Sequence, residues 1–147
     1  MTAALEIVVA TRDLLEEWRA IHNAIIPSAP LSAAEVAERS ARNRLTIAYA
    51  DDELVGNATV RPPSGPGRVA TVIVRILPEH RGRGLGSAYL EAELAQARSA
   101  GAVRIETVVL ASNQEGLQFA LARGFVEHDR YLLEGDTVAF IDLHLQG

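Results

Sequence analysis

The 147-residue sequence contains no cysteine and no lysine, and all 14 of its basic residues other than histidine are arginines. The lack of cysteine excludes disulfides, thiolate metal sites and cysteine nucleophiles, and it fits a cytoplasmic protein. The lack of lysine excludes a Schiff-base lysine and the lysine of a phosphate-binding P-loop. A compositional bias of the genome is the simplest explanation for the missing lysines.

Long apolar runs are also missing. No run approaches the length of a membrane span, and the N-terminus lacks a basic segment followed by a long apolar one, so we expect no membrane partner. The net charge of -5 and the pI of 5.3 argue against nucleic acid as a partner. With 48% hydrophobic and 22% charged residues, the composition predicts one globular domain over residues 1–147.

Hydrophobic periodicity predicts a mixed order of strands and helices. The predicted strands are Leu5–Val9, Leu45–Ala50, Leu54–Val60, Val69–Leu77, Val103–Leu110, Phe125–Leu133 and Val138–Leu145. The predicted helices are Thr11–Ala24, Ser32–Arg42 with a capping box, Gly84–Ala100 and Asn113–Arg123. Arg61–Arg68 is a predicted loop, because its prolines cannot sit in a central ladder. This order mixes hairpins with one β-α-β crossover, and it predicts an α+β or α/β domain with helices on both faces of a mixed sheet.

The segment Pro78–Leu90, PEHRGRGLGSAYL, follows a predicted buried strand and opens a predicted helix. A helix N-terminus carries unpaired N–H groups and about half a positive charge. Glycine lets the backbone approach a ligand closely, and three glycines would be a costly way to build a plain turn. Arg81 and Arg83 add positive charge at the rim. The segment therefore predicts an anion site suited to phosphate or pyrophosphate.

The spacing of this loop discriminates among phosphate-binding motifs. A P-loop requires a lysine, which the chain lacks. The dinucleotide fingerprint G-x-G-x-x-G fails, because its last position falls on Ser87 when counted from Gly82 and on Tyr89 when counted from Gly84. The pattern that is present is R-x-x-G-x-G, formed by Arg81, Gly84 and Gly86.

This pattern resembles the acetyl-CoA loop of the GNAT superfamily of N-acetyltransferases, [QR]-x-x-G-x-[GA], which follows a strand and a Pro-Glu pair. The preface here is ILPEH, residues 76–80. A second region, NQEGLQFALARGF, resembles the next helix of the family, with Asn113 opening it, Gly116 three residues on, and Gly124 and Phe125 closing it. The resemblance implies a GNAT-type mixed, mostly antiparallel sheet with helices on both faces and splayed central parallel strands.

The resemblance also implies acetyl-CoA as co-substrate. In the family the pantetheine arm inserts between two parallel strands like a missing strand, and the strands here would be Val69–Leu77 and Val103–Leu110. The backbone around Ile76 would bind the pantetheine amides. The other implied cofactor-binding residues are Asn113 and the loop residues whose N–H groups would hold the pyrophosphate: Arg81, Gly82, Arg83, Gly84, Leu85, Gly86 and Ser87.

The catalytic groups are harder to assign. The family often supplies the acid as a tyrosine seven residues after the helix-opening Asn, and this sequence has Ala120 there. Tyr131 is the candidate acid instead, with edge-strand packing as the alternative, and Tyr89 is predicted to pack on a helix face. Glu106 is the candidate base, with a pairing to a nearby arginine as the alternative. A water molecule, with backbone carbonyls relaying the proton, could replace a dedicated base.

Metal chemistry is not expected. The four histidines show no metal-binding spacing, and each is predicted to pack or to lie at the surface: His22, His80, His128 and His144.

Two functions stay open. One is an acetyl-CoA-dependent N-acetyltransferase, in which a primary amine of a small molecule or peptide attacks directly. The other is a non-catalytic acyl-CoA-binding or sensor domain, which the loss of the tyrosine at Ala120 favours. A glycine-loop nucleotide-binding protein fails on motif spacing. The net acidity suits a cationic amine as acceptor, and a homodimer stays open.

Overall fold

A seven-stranded sheet forms the centre of the protein. The computed structural model describes residues 5–133, 135 and 137–145. The strands are β1 (Leu5–Val9), β2 (Arg44–Ala50), β3 (Glu53–Ser64), β4 (Val69–Ile76), β5 (Arg104–Leu110), β6 (Phe125–Tyr131) and β7 (Phe140–Leu145). Their spatial order is β1-β2-β3-β4-β5-β7-β6, and every pair is antiparallel except β4 with β5. The mixed sheet predicted from the order of elements is confirmed, as is the mostly antiparallel pairing that the resemblance implies.

Four α-helices cover both faces of this sheet, as predicted. They are α1 (Leu15–Ile25), α2 (Ala33–Arg42), α3 (Leu85–Ser99) and α4 (Gln114–Ala122). Helices α1 and α2 pack on one face through a buried cluster that includes Trp18, Val36, Leu45 and Ile47. Helices α3 and α4 cover the other face through a cluster that includes Val72, Leu90, Leu94, Ile105, Ala120 and Ile141. Alternate side chains of each central strand therefore point to opposite faces of the sheet, one face covered by α1 and α2 and the other by α3 and α4.

Helix α2 begins with the capping box that its sequence predicts. The Glu35 N–H donates to Ser32 Oγ at 3.1 Å, and the Ser32 N–H donates to Glu35 Oε1 at 2.9 Å. The hydrogen bond from the Ser32 N–H, followed by a bond from the Ser32 side chain, favours the carboxylate and lowers the pKa of Glu35. The box fixes the start of α2 and so the position of the helix over the sheet.

The predicted loop Arg61–Arg68 is shorter in the structure, because β3 continues through Ser64. The pairing of β3 with β4 shifts register between Arg61 and Ser64. Pro62 and Pro63 fall in this irregularity, where a missing N–H breaks no regular ladder. The loop prediction is wrong over this stretch because the partner strand decides how far β3 extends.

The final hairpin is also trimmed relative to the prediction. Strand β6 ends at Tyr131 instead of Leu133, and β7 begins at Phe140 instead of Val138. Glu134 and Asp136 of the predicted connecting turn lie outside the described residues.

Candidate active site

The two central parallel strands separate after three residue pairs. Strands β4 and β5 pair at Val69–Arg104, Ala70–Ile105 and Thr71–Glu106, and no further pair between them follows within the described chain. Beyond these pairs β4 continues along β3 and β5 continues along β7. The facing strand edges therefore offer backbone N–H and C=O groups to an extended ligand. This confirms the predicted splay of the central strands.

A cavity of about 330 Å³, here the loop cavity, lies where the loop after β4 meets α3 and α4. Seven of the nine predicted cofactor-binding residues line it: Ile76, Arg81, Gly82, Gly84, Gly86, Ser87 and Asn113. The other two lie elsewhere. Leu85 is buried in the core, and Arg83 approaches His80 at 3.2 Å and Asp51 at 3.8 Å.

The glycines of the loop serve two different needs. Gly82 and Gly84 have φ of +79° and +77°, a conformation that disfavours other residues, and a Cβ on either would meet nothing within 4 Å. Gly86 packs instead, since its Cβ would lie 3.3 Å from the Phe119 ring. The loop is therefore held in a turn whose outer side is open to a ligand. It leads directly into α3, which has no acidic residue in its first turn to offset the helix dipole.

Arg81 braces this loop against the strand end. Its Nε donates to the Ile76 carbonyl at 2.9 Å, and its Nη1 lies 2.9 Å from Glu115 Oε2. Asn113 caps α4 by accepting the Gly116 N–H at 3.0 Å. These bonds bring the β4 end, the loop and the start of α4 together around one cavity.

Arg123 is a further charge that the sequence reasoning did not select. It lies at the C-terminal end of α4, yet it lines the loop cavity and donates to Ser87 Oγ. Its guanidinium sits over the Phe119 ring, 4.7 Å from the centroid. The sequence around Arg123 does not indicate a role in this cavity, because the position of its side chain depends on how α4 crosses α3.

A second cavity of about 690 Å³, here the sheet cavity, lies between the end of α1 and the separated strands. It shares Ile25, Val74, Arg75, Arg81, Asn113, Gly116 and Phe119 with the loop cavity. The two cavities therefore meet at the strand gap. The basic residues of its lining are His22, Arg39, Arg61, Arg75 and Arg81, and no Asp or Glu occurs among its described lining residues.

Arg75 is a partly buried charge of this lining, and its Nε atom is fully enclosed. It faces α1 from β4, with its guanidinium 5.7 Å from the Trp18 ring centroid. Its Nη1 donates to Asn57 Oδ1 at 3.2 Å and to Thr59 Oγ1 at 3.3 Å, whereas its buried Nε has no hydrogen-bond partner among the described residues. Burial lowers the pKa of Arg75 to about 10, so it stays charged at pH 7.

His22 also lines the sheet cavity, although only 5% of it is exposed. It stacks on Trp18 with ring centroids 5.5 Å apart, which fits the predicted packing role. Burial, with a smaller contribution from Arg75, lowers the pKa of His22 to about 4, so the ring is neutral at pH 7. Its Nδ1 lies 3.0 Å from Asn23 Oδ1, which also accepts the Leu31 N–H. Since Oδ1 can only accept, Nδ1 carries the proton and Nε2 is unprotonated.

Tyr131 and Glu106 lie in different surroundings. Tyr131 lines the sheet cavity and donates to Asp142 Oδ1 at 3.2 Å; burial first, and then Asp142, raises the pKa of its phenol. Glu106 lines neither cavity and pairs with Arg104 at 3.8 Å, at the closed end of the strand gap. Ala120 is buried at 4% exposure, next to the sheet cavity. Their chemical roles stay predictions.

Tyr89 is a core residue, as the sequence predicts. It is fully buried, and its hydroxyl lies 2.6 Å from Thr46 Oγ1, which donates to Glu93 Oε1 at 3.0 Å. Burial raises the pKa of Tyr89, so its proton is held within this network.

These residues fit acetyl-CoA. The open turn at Gly82 and Gly84 and the start of α3 suit a pyrophosphate, because both depend on close backbone approach. Arg81 and Arg123 add positive charge to the same cavity. The gap between β4 and β5 suits the amides of a pantetheine arm. Fold and site together define the class of acyl-CoA-dependent transferases.

Comparison with known proteins identifies the family. The chain belongs to the Acetyltransferase (GNAT) family, whose model matches residues 11–125. It is therefore an acetyltransferase by family. No curated protein sequence matches the chain.

Solved structures with this fold span nearly the whole chain. A candidate phosphinothricin N-acetyltransferase is 22% identical with a TM-score of 0.82, covering 97% of this chain and 98% of its own. The candidate acetyltransferase YncA from Salmonella typhimurium, solved with its cofactor acetyl-CoA, is 18% identical with a TM-score of 0.76, covering 97% and 94%. The spermidine/spermine N-acetyltransferase SpeG from Vibrio cholerae is 16% identical with a TM-score of 0.74, covering 96% and 91%. At these identities the likeness shows the shared fold.

Two kinds of feature are absent from the described residues. None of their helices is both long and apolar enough to cross a membrane. None of their His, Cys, Asp and Glu side chains form a group of three or more that could hold a metal ion.

Proposed function

We propose that the chain is a single N-acetyltransferase domain that moves an acetyl group from acetyl-CoA to a primary amine of a small molecule or peptide. The observation that carries this proposal is the strand gap between β4 and β5, where the loop cavity and the sheet cavity meet. A donor held on one side and an acceptor entering on the other would meet at that gap. Such an arrangement favours direct attack without a covalent enzyme intermediate.

Binding of the donor falls to the loop cavity and the strand edges. The N–H groups from Arg81 through Ser87 hold the pyrophosphate, helped by the dipole of α3. The backbone around Ile76 binds the pantetheine amides, and Asn113 fixes the start of α4 on the opposite side. When bound, acetyl-CoA supplies an acetyl thioester to the gap.

Deprotonation of the acceptor is assisted by the charges of the sheet cavity. An ammonium group beside the guanidinium groups of Arg39, Arg61 and Arg75 has a lowered pKa, because a like charge disfavours the protonated form. More of the amine is then neutral and nucleophilic at pH 7. The proton passes to water. Glu106, which pairs with Arg104 and lies outside both cavity linings, is a weaker candidate for this role than water.

Tyr131 is the candidate acid for the departing thiolate. It lines the sheet cavity, and its phenol keeps its proton at pH 7 because burial and Asp142 raise its pKa. The cytoplasmic location and the homodimer remain predictions from the sequence.

The alternative function is a non-catalytic acyl-CoA-binding or sensor domain of the same fold. Ala120 favours it, because the usual tyrosine of the family is missing there. The two functions make the same prediction for coenzyme binding and opposite predictions for turnover.

Two measurements test the proposal. Isothermal titration should show one acetyl-CoA bound per chain, with ATP and NAD far weaker. A thiol-release assay over a panel of primary amines should then show acceptor-dependent release of CoA. A preference for NAD would contradict the assignment of acetyl-CoA as the coenzyme. Tight acetyl-CoA binding with no release over the panel would favour the sensor.

A further inference from the structure

The charged residues that line the sheet cavity all carry positive charge. Four arginines line it, Arg39, Arg61, Arg75 and Arg81, and none of its described lining residues is acidic. The whole chain has the opposite balance, with a net charge of -5. The positive cavity is therefore a local feature and does not follow from the composition.

Arg75 is an arginine of this cavity whose charge is only partly compensated by its surroundings. Its hydrogen bonds go to two neutral oxygens at 3.2 and 3.3 Å, and its buried Nε has no partner among the described residues. No described carboxylate forms an ion pair with it, whereas Arg81 pairs with Glu115. A partly buried guanidinium with an enclosed, unpartnered N–H is costly unless an anion and further hydrogen bonding compensate it. The stack on Trp18 compensates only part of this cost.

We propose that the acetyl acceptor is an amine that also carries a carboxylate or phosphonate, and that Arg75, helped by Arg39 and Arg61, binds this anion. The proposal rests on the proposed N-acetyltransferase function and names its substrate class. Guanidinium binds a carboxylate or phosphonate through two parallel N–H donors, which orients the ligand as well as holding it. Because Arg75 lines both cavities, an anion on it holds the acceptor at the strand gap.

This proposal replaces the cationic acceptor that the net charge suggests. A polyamine needs carboxylates or carbonyl oxygens along its path, and the arginines of the sheet cavity would repel its second ammonium group. The local field at the acceptor site therefore selects against polyamines.

The experiment uses the full chain and matched amines. Thiol release is measured with β-alanine, 4-aminobutyrate and 2-aminoethylphosphonate, each against an analogue that lacks the anionic group, such as β-alaninamide, and against spermidine. The acceptors that carry an anion should have kcat/KM at least about tenfold above their analogues without one, the worth of one hydrogen-bonded charge. The two kinds of anion are separated by comparing β-alanine with 2-aminoethylphosphonate.

Variants then assign the effect. Arg75→Gln should bring the ratio of kcat/KM for an acceptor with an anion to kcat/KM for its analogue without one close to one. The affinity for acetyl-CoA, measured by isothermal titration, should not change. Arg39→Gln and Arg61→Gln should reduce the ratio by smaller amounts and remain available if Arg75→Gln does not fold. Arg42→Gln is the control, because Arg42 is on the same helix as Arg39 but pairs with Glu38 and lines neither cavity.

A binding readout separates this inference from the proposed function. Titration of β-alanine into the CoA-saturated protein should release heat that Arg75→Gln abolishes, whether or not acetyl transfer occurs. Binding without turnover would support the anion site and contradict the acetyltransferase. Turnover of the analogues without an anion, or of spermidine, at least as fast as turnover of the acceptors with one would overturn the anion site. If Arg75→Gln lost acetyl-CoA affinity as strongly as it lost β-alanine binding, the anion site would also be overturned, because Arg75 would then belong to the coenzyme site.

Discussion

Arg81 and Glu115 form an ion pair within the loop cavity, with Arg81 Nη1 2.9 Å from Glu115 Oε2. The carboxylate of Glu115 is exposed, and it partly neutralises the charge of Arg81, which would otherwise be available to a phosphate. Glu115→Gln should therefore raise CoA affinity about two- to fivefold at low salt, the usual size of an exposed charge effect. Isothermal titration at two salt concentrations measures it, and the gain should shrink at high salt.

Glu38→Gln is the matched control for this change. Glu38 forms an exposed pair with Arg42 at 2.9 Å and lines neither cavity. An equal gain in both variants would show that only the net charge of the protein matters. A weaker CoA affinity in Glu115→Gln would show that the pair is needed to brace the loop.

Gly84 offers a test of the phosphate loop. Gly84→Asp should weaken CoA binding roughly tenfold or more, about 1.4 kcal/mol, because it brings a carboxylate to the loop cavity. Gly84→Asn carries the same backbone strain without the charge and should lose less. Affinity is measured by isothermal titration on folded protein.

Gly65→Asp controls for the strain itself. Gly65 has φ of +73° against +77° for Gly84, and a Cβ at either position meets nothing within 4 Å. The two Asp variants should lose similar thermal stability, yet only Gly84→Asp should lose CoA affinity. Unchanged affinity in Gly84→Asp would remove this loop from the phosphate site.

Tyr131→Phe tests the candidate acid. If Tyr131 protonates the thiolate, kcat should fall on the order of a hundredfold with CoA affinity intact. A phenol that serves only to hold Asp142 would change kcat less than about threefold, because the ring keeps its stack on Phe140. Steady-state and single-turnover kinetics distinguish the two outcomes.

His22 should make the fold sensitive to mild acid. Its pKa is lowered from 6.5 to about 4 in the folded protein, so the unfolded chain takes up its proton first as the pH falls. The stability due to neutral His22 is full above pH 6.5 and is lost progressively from pH 6.5 towards pH 4. The free energy of unfolding should fall by on the order of 2–3 kcal/mol across this window. Urea titrations of the wild type and of His22→Gln measure the difference, and parallel pH profiles for the two would contradict it.

Glu93 is expected to be a stability residue. Its carboxylate is 1% exposed, accepts from Thr46 at 3.0 Å and pairs with Arg44 at 3.1 Å. Glu93→Gln should lower the free energy of unfolding by about 3 kcal/mol, because it leaves Arg44 without its partner. Glu91→Gln, on the exposed side of the same helix, should change it by less than about 0.5 kcal/mol. Denaturant unfolding checks both, and equal effects would remove the buried pair as the cause.

The glycine turn before α3 could be predicted because its signal is local: a run of glycines before a helix, which a short stretch such as Arg81–Ser87 contains in full. Its proposed role, binding phosphate through backbone N–H groups, depends on the same short stretch. The order of strands and helices could be predicted for a similar reason, since periodicity reports which face of each element is buried.

The sheet cavity could not be predicted, because its residues come from distant parts of the chain. Arg75 lies under Trp18 through the pairing of β4 with β3, where Asn57 is its cross-strand partner. Nothing near Arg75 in the sequence reports that neighbour. The extension of β3 through Pro62 and Pro63 was missed likewise, because a strand ends where its partner ends.

The three residue pairs between β4 and β5 also determine how the protein would respond to an acyl-CoA bound in the strand gap. They are the only strand pairing, in the described chain, between the four-stranded half β1–β4 and the three-stranded half β5–β7. A molecule bound to both strand edges links the two halves, so that they unfold together. Its binding free energy then adds to the free energy of unfolding. At a coenzyme concentration one hundred times the Kd this linkage amounts to about 2.7 kcal/mol. Resistance to proteolysis would then track the supply of acyl-CoA, and the lifetime of the enzyme would follow the metabolite that it consumes.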